Sequence, residues 1–207
     1  MSVRSIVRVL SLAVVIWPPL VRCATESYQI DPAKSSVTIE VGKAGAFSFI
    51  AGHTHEVAGP IASGTIDVDR ENASASRVHL VIATSSLKVS PKGEPHDDRA
   101  KVQQAMESDQ VLDIVRYPEL KFDSTSVSET GHEQSSMDLR ITGDLTIRDA
   151  THSISVPVRV ELGERMITAT GQFSIKQTTY GIKPITVGGV VAVKDALDIR
   201  FSIVARR

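Results

Sequence analysis

Two histidines placed two residues apart, in Gly52-His53-Thr54-His55-Glu56, are the part of this 207-residue chain with the clearest potential for chemistry. In an extended segment residues i and i+2 project to the same face, so both imidazoles could share one metal ion while Glu56 points away. A pair is too few ligands for a structural or catalytic site. A third ligand would have to come from a distant element, with His79, His132, His152 or an acid as candidates, and no spacing rule selects among them. On this reading the protein is a metal- or haem-associated accessory factor or enzyme using His53 and His55. On the other, the pair caps a strand end or hydrogen-bonds across the mouth of the fold.

Other arrangements that carry chemistry are thin. The sequence has no G-x-S-x-G, H-E-x-x-H, phosphate-binding loop or dinucleotide glycine fingerprint. Its single cysteine, Cys23, permits no internal disulfide. Asp97 and Asp98 are adjacent at the start of an expected helix, where carboxylates complement the N-terminal dipole rather than share acid and base roles. His152 continues an apolar strand face and is expected as a hydrogen-bonded rim histidine. His96 and His132 sit in polar stretches and are expected in solvated loops. Tyr180, following Thr179 and preceding Gly181 in an expected turn, either packs at the end of the fold or offers its hydroxyl to a ligand head group. No enzyme activity is expected from this inventory.

The N-terminus reads as a secretory signal. Arg4 and Arg8 precede the apolar run Leu12-Ala13-Val14-Val15-Ile16, which is shorter than the about 20 residues a membrane span needs, and Pro18-Pro19 end it. We expect a signal over residues 1–23, a mature domain over 24–207 and a periplasmic location. Leu20-Val21-Arg22-Cys23 raises lipoprotein anchoring through Cys23, against which the bulky, charged Arg22 argues. Residues 1–23 hold three arginines and no acid, leaving 20 basic against 24 acidic residues in the mature chain. Nucleic acid and anionic surfaces, which select for clustered Lys and Arg, are therefore not expected as partners. The mature chain contains no expected membrane span, and a homodimer is left open.

From Tyr28 onward apolar residues alternate with polar ones, the period of strands with one face in a core. His152, Ile154, Val156, Val158, Val160 and Leu162 share one face, as do Leu139, Ile141, Gly143, Leu145 and Ile147. The rhythm recurs at Val37 to Val41, Val78 to Ile82, Ile167 to Ile175 and Leu197 to Ala205. Strands are also expected over Phe47 to Ala51, Ile61 to Val68 and Leu120 to Val127. Eight or more antiparallel strands should curl and close into a barrel. Between Asp97 and Val115 the pattern turns helical, with Pro95 ahead. Ser108 or Asp109 could restart a second short helix that stops before Tyr117-Pro118. The expected fold is thus all-β, a closed eight-stranded lipocalin-like barrel with one or two helices beside it. Gly143, Gly171, Gly188 and Gly189 mark bends or remove volume from the interior. A barrel solidly filled with side chains, serving as a structural module, is compatible with the same pattern.

A series of local signatures is similar to the YceI-like family of lipid-binding proteins. They are Tyr28-Gln29-Ile30-Asp31-Pro32 with Ser35-Ser36-Val37, Gly59, Gly64-Thr65-Ile66, Tyr117-Pro118-Glu119-Leu120-Lys121-Phe122-Asp123-Ser124 and Ile141-Thr142-Gly143-Asp144-Leu145-Thr146-Ile147. Thr178-Thr179-Tyr180-Gly181-Ile182 and Val193-Lys194-Asp195-Ala196-Leu197-Asp198-Ile199 complete the set. The resemblance implies a hollow barrel enclosing a polyisoprenoid, isoprenoid quinone or fatty amphiphile for transport, storage or sequestration, with no other cofactor. The lining it implies includes Phe47, Phe49, Leu80 and Leu112, then Phe122, Leu145, Val156 and Val158. Phe173, Tyr180, Ile182 and Phe201 complete it. The His53/His55 pair departs from the family's commonest form.

Overall fold

The computed structural model describes residues 25–44, 55–91, 96–187 and 191–207. Its strands are β1 (Glu26–Ile30), β2 (Ser36–Ala44), β3 (His55–Pro60), β4 (Ser63–Val68), β5 (Arg77–Ala83), β6 (Lys88–Val89), β7 (Glu119–His132), β8 (Ser136–Ile147), β9 (Ala150–Leu162), β10 (Met166–Lys176), β11 (Thr186–Val187) and β12 (Val191–Arg206). One α-helix, α1 (His96–Glu107), lies between β6 and β7. The order β1-β4-β5-β7-β8-β9-β10-β12 returns to β1, closing a ring of eight antiparallel strands. The Phe47–Ala51 strand, Phe49, His53, Gly188, Gly189 and the N-terminal segment with Cys23 lie outside the described residues.

Twelve strands make an eight-stranded ring because three walls are bent and β11 pairs with β12 off the ring. β1 and β2, β3 and β4, and β5 and β6 are each consecutive halves of one long path, and β2, β3 and β6 carry the wall onward at the other end of the barrel. At each bend a side chain or neighbouring backbone replaces the missing ladder bonds, since an unpaired buried backbone group is costly. Between β1 and β2 the buried Ser35 hydroxyl donates to the Val204 carbonyl (3.1 Å) and accepts from the Val204 amide (3.0 Å). Between β3 and β4, Ala62 N–H donates to the Val81 carbonyl. Between β5 and β6 the fully buried Thr84 donates from its amide to the Pro118 carbonyl and from its hydroxyl to that of Tyr117.

β6 is two residues long and has no strand on its outer side among the described residues, so α1 completes it. The Gln103 carboxamide accepts from the Val89 amide (2.8 Å) and donates to the Leu87 carbonyl (3.0 Å), taking the part of a neighbouring strand. Gln103 also donates to Glu107, which pairs with Lys88. The helix opens at His96, so Asp97 and Asp98 fall in its first turn as expected for N-terminal carboxylates, while His96 is helical rather than in a loop. The second helix does not form. After Glu107 the chain turns, with Asp113 at φ 48° and its amide bonded to the Ser108 carbonyl. A left-handed residue breaks helical propagation, and the stretch instead reaches back to the barrel where Arg148 donates to the Val111 carbonyl. His132 ends β7 rather than lying in a loop, exposed and 3.4 Å from Glu129.

Among the described residues no helix is long and apolar enough to cross a membrane, which says nothing of the strands. Replacing Gln103 by Ala should strip the partners from two backbone groups of buried residues and lower the unfolding free energy by about 1–3 kcal/mol. Denaturant unfolding together with faster amide exchange at Val89 would register it, and unchanged exchange there would show that another group holds the edge.

Candidate functional site

Alternation along eight tilted strands turns one set of side chains into the barrel, and those side chains surround a cavity of about 250 Å³. It runs from Val68, Ala73 and Ser76 beside the short 3₁₀ turn Ala73–Ala75 to Met106, Val111 and Leu112 beside α1. Ligand pockets for compact molecules span about 300–1,000 Å³. A smaller volume spread along a barrel suits a chain.

Of the residues expected in the lining, Leu80, Leu112, Phe122, Leu145, Val156, Val158, Phe173, Ile182 and Phe201 all border the cavity. Tyr180 does not. It lies in the 3₁₀ turn Gln177–Tyr180, 2% exposed, with the ring of His152 edge-on at 5.2 Å. Its hydroxyl is buried without a hydrogen-bond partner among the described residues, and burial raises its pKa. His152 is exposed and is held by that ring contact rather than by a hydrogen bond to it. Further lining residues, among them Ile39, Val57, Ile199 and Ile203, follow from the same alternation.

The polar groups that border the cavity sit at its ends or edges and are already engaged. Ser76 Oγ accepts from the Asp69 amide, and Asp69 Oδ1 accepts from the Glu71 and Asn72 amides. Gln177 donates to the Lys194 carbonyl, and Lys121 pairs with Glu119. Arg70 donates to Glu26 (2.9 Å), to the Tyr28 hydroxyl (2.8 Å) and to the Gly163 carbonyl (2.9 Å), while Arg207 pairs with the other Glu26 oxygen. The Tyr28 hydroxyl bond and then Arg70 hold the Glu26 carboxyl at about 2 against an ordinary 4.5. No sequence signal pointed to this network, because Glu26, Arg70 and Arg207 are far apart in the chain.

The signatures quoted from the sequence lie chiefly where the wall is mended. Asp195, in the bulge between Val193 and Leu197 of β12, accepts from the amide (2.8 Å) and hydroxyl (2.7 Å) of Thr178. These bonds depress its pKa and tie the Thr178–Ile182 signature to the Val193–Ile199 signature. Gly181 adopts φ 70° to end the turn, a conformation that suits glycine.

The metal reading finds no support in the described residues. His55 opens β3 opposite Val41, His79 bonds Asp123 (2.6 Å) on the outside, and no group of three or more His, Cys, Asp or Glu side chains could hold an ion. His53 lies outside the described residues.

The profile of the YceI-like domain matches residues 28–205. A UPF0312 protein of Vibrio campbellii is 31% identical over 152 residues, 72% of this chain and 68% of that protein. Among solved structures, BcnA of Burkholderia cenocepacia superposes with a TM-score of 0.64 at 21% identity, covering 84% of this chain and 98% of that one. A polyisoprenoid binding domain from Saccharophagus degradans, implicated in plant cell wall breakdown, gives 0.57 at 15% identity over 86% of this chain and 97% of that one. These two likenesses bear on the fold.

Two outcomes follow from the site. Tyr180→Phe removes a buried, unpartnered hydroxyl and should raise the unfolding free energy by up to about 1 kcal/mol, read by denaturant titration. Glu26 is more acidic folded than unfolded, so its stabilisation is present above pH 4.5 and lost as pH falls toward about 2. Glu26→Gln should flatten the stability profile across that window, and an unaltered acid limb would assign it to other carboxylates.

Proposed function

Because this chain belongs to the YceI-like family, we propose that it is a non-catalytic binding protein that encloses the apolar chain of a polyisoprenoid, isoprenoid quinone or fatty amphiphile inside its barrel. The observation that carries this reading is a cavity walled by Val, Ile, Leu and Phe along the barrel, in which the bordering polar groups are already paired. Such a wall rewards hydrocarbon. Each 100 Å² of apolar ligand surface removed from water contributes about 2.5 kcal/mol before the costs of ordering. A hydroxyl or phosphate carried into the middle would lose its water without gaining a partner, so the polar head belongs at an end. The Saccharophagus domain, with the same fold, is described as polyisoprenoid binding.

Export is the second half of the proposal. Arg4, Arg8 and the apolar run to Ile16 support a cleaved signal and a periplasmic site of action, where a carrier would shield a lipid tail from water. The role is transport, storage or sequestration of that lipid.

Protein expressed with its own N-terminus and purified from the periplasm should carry a lipid released and identified by native mass spectrometry. Ligand-free protein should take up geranylgeraniol in the same assay. Empty preparations that also refuse a series of isoprenols would end the binding reading, and retention of an unprocessed chain in the cytoplasm would end the export reading.

A further inference from the structure

All three phenylalanines among the described residues border the cavity: Phe122 on β7, Phe173 on β10 and Phe201 on β12. β7 and β12 are four strands apart in a ring of eight, so Phe122 and Phe201 stand on opposite walls. Ladder pairs lead from Phe122 to Leu145 and on to His152, then toward the end of β10. In a closed barrel the strands tilt by about 35–45°, so a row of ladder pairs drifts along the axis as it goes round. Correcting for that drift returns the level of Phe122 to Phe173 on β10 and to Phe201 on β12. The core divides into two clusters, one toward each end; Ile82, Ile154 and Phe173 pack against both, while Phe122 and Phe201 pack against the cluster that holds Tyr28 and Ile203.

The wall is shaped to hold two of these rings. A β-carbon at Gly143 would stand 2.5 Å from Cζ of Phe122 and 2.5 Å from the Asp123 carbonyl oxygen. At Gly171 it would stand 2.6 Å from Cζ of Phe201 and 2.7 Å from the Pro157 carbonyl oxygen. Each ring therefore occupies the space of a missing side chain on the neighbouring strand. It lies back against the wall instead of crossing the lumen. Phe173 meets Phe201 at 6.5 Å between ring centres, inclined at 58°.

We propose that Phe122, Phe173 and Phe201 form an aromatic collar midway along the barrel that passes one slender hydrocarbon chain and rejects wider ones. This rests on the binding reading above. Width at the collar selects the ligand class: a single prenyl or alkyl chain threads past the rings from one end of the cavity to the other, while a fused-ring sterol is stopped. Length is limited by the cavity from end to end, and width by the rings. The glycines fix the bore because they leave each ring one place to lie.

The test compares uptake of geranylgeraniol and cholesterol by native mass spectrometry in the wild type and in Phe122→Ala/Phe201→Ala, with thermal unfolding to confirm folding. The wild type should favour geranylgeraniol by about 100-fold, and the double variant should bring that ratio below about tenfold. Phe173→Trp adds volume, and should weaken geranylgeraniol at least about tenfold while sparing the ten-carbon geraniol. Wild-type protein that is empty as purified and takes up neither these lipids nor a series of isoprenols would overturn the binding reading and the collar with it. Normal geranylgeraniol uptake with an unchanged ratio in the double variant would overturn the collar alone. If the double variant does not fold, the Trp variant decides, and equal loss or equal retention of both isoprenols would refute the collar.

Discussion

The barrel depends on β12. At sixteen residues it is the longest strand among the described residues, pairing with β10 along one edge and with β2 and then β1 along the other. A strand edge left open would expose a row of unpaired amides and carbonyls, so the change from one partner to the next has to occur without a gap. Ser35 bridges that change by bonding both polar groups of Val204. The same demand accounts for Thr84 at the seam of β5 and β7, for Gln103 standing in as a strand beside β6, and for Asp195 over the bulge of β12 itself. Four polar side chains from separate parts of the chain do one job: they let bent strands enclose a lumen while keeping backbone bonds satisfied.

Keeping the polar groups in the wall is also what leaves the interior for hydrocarbon. With Glu26, Tyr28, Arg70 and Arg207 gathered at one end and α1 at the other, the middle of the barrel has only apolar side chains to present. Whether such side chains fill the space or line it is a matter of volume. Eight strands can do either. Here two inward wall positions are glycine, and the phenylalanine beside each folds into the vacant place, so large rings are accommodated without plugging the core. The aromatic residues thus shape the cavity.

Strand identity, the inward face and the helical interruption were legible from the sequence, because the side-chain period of a strand is two and that of a helix is 3.6. Val156, Val158 and Val160 lie buried as their alternation requires, and β8 and β9 follow the faces read from it. The signatures also located the places where the wall needs mending, without showing what met there. Thr178 and Asp195, or Ser35 and Val204, are brought together by pairings between distant strands, and local pattern carries no record of such partners. The single helix rather than two was settled by the left-handed turn at Asp113. The sequence by itself determined that this chain makes strands with one apolar face and that they should close. Only the tertiary structure decided that the closed barrel is hollow, because open volume depends on which side chains face one another across the lumen. That is fixed by the register and tilt of the whole ring.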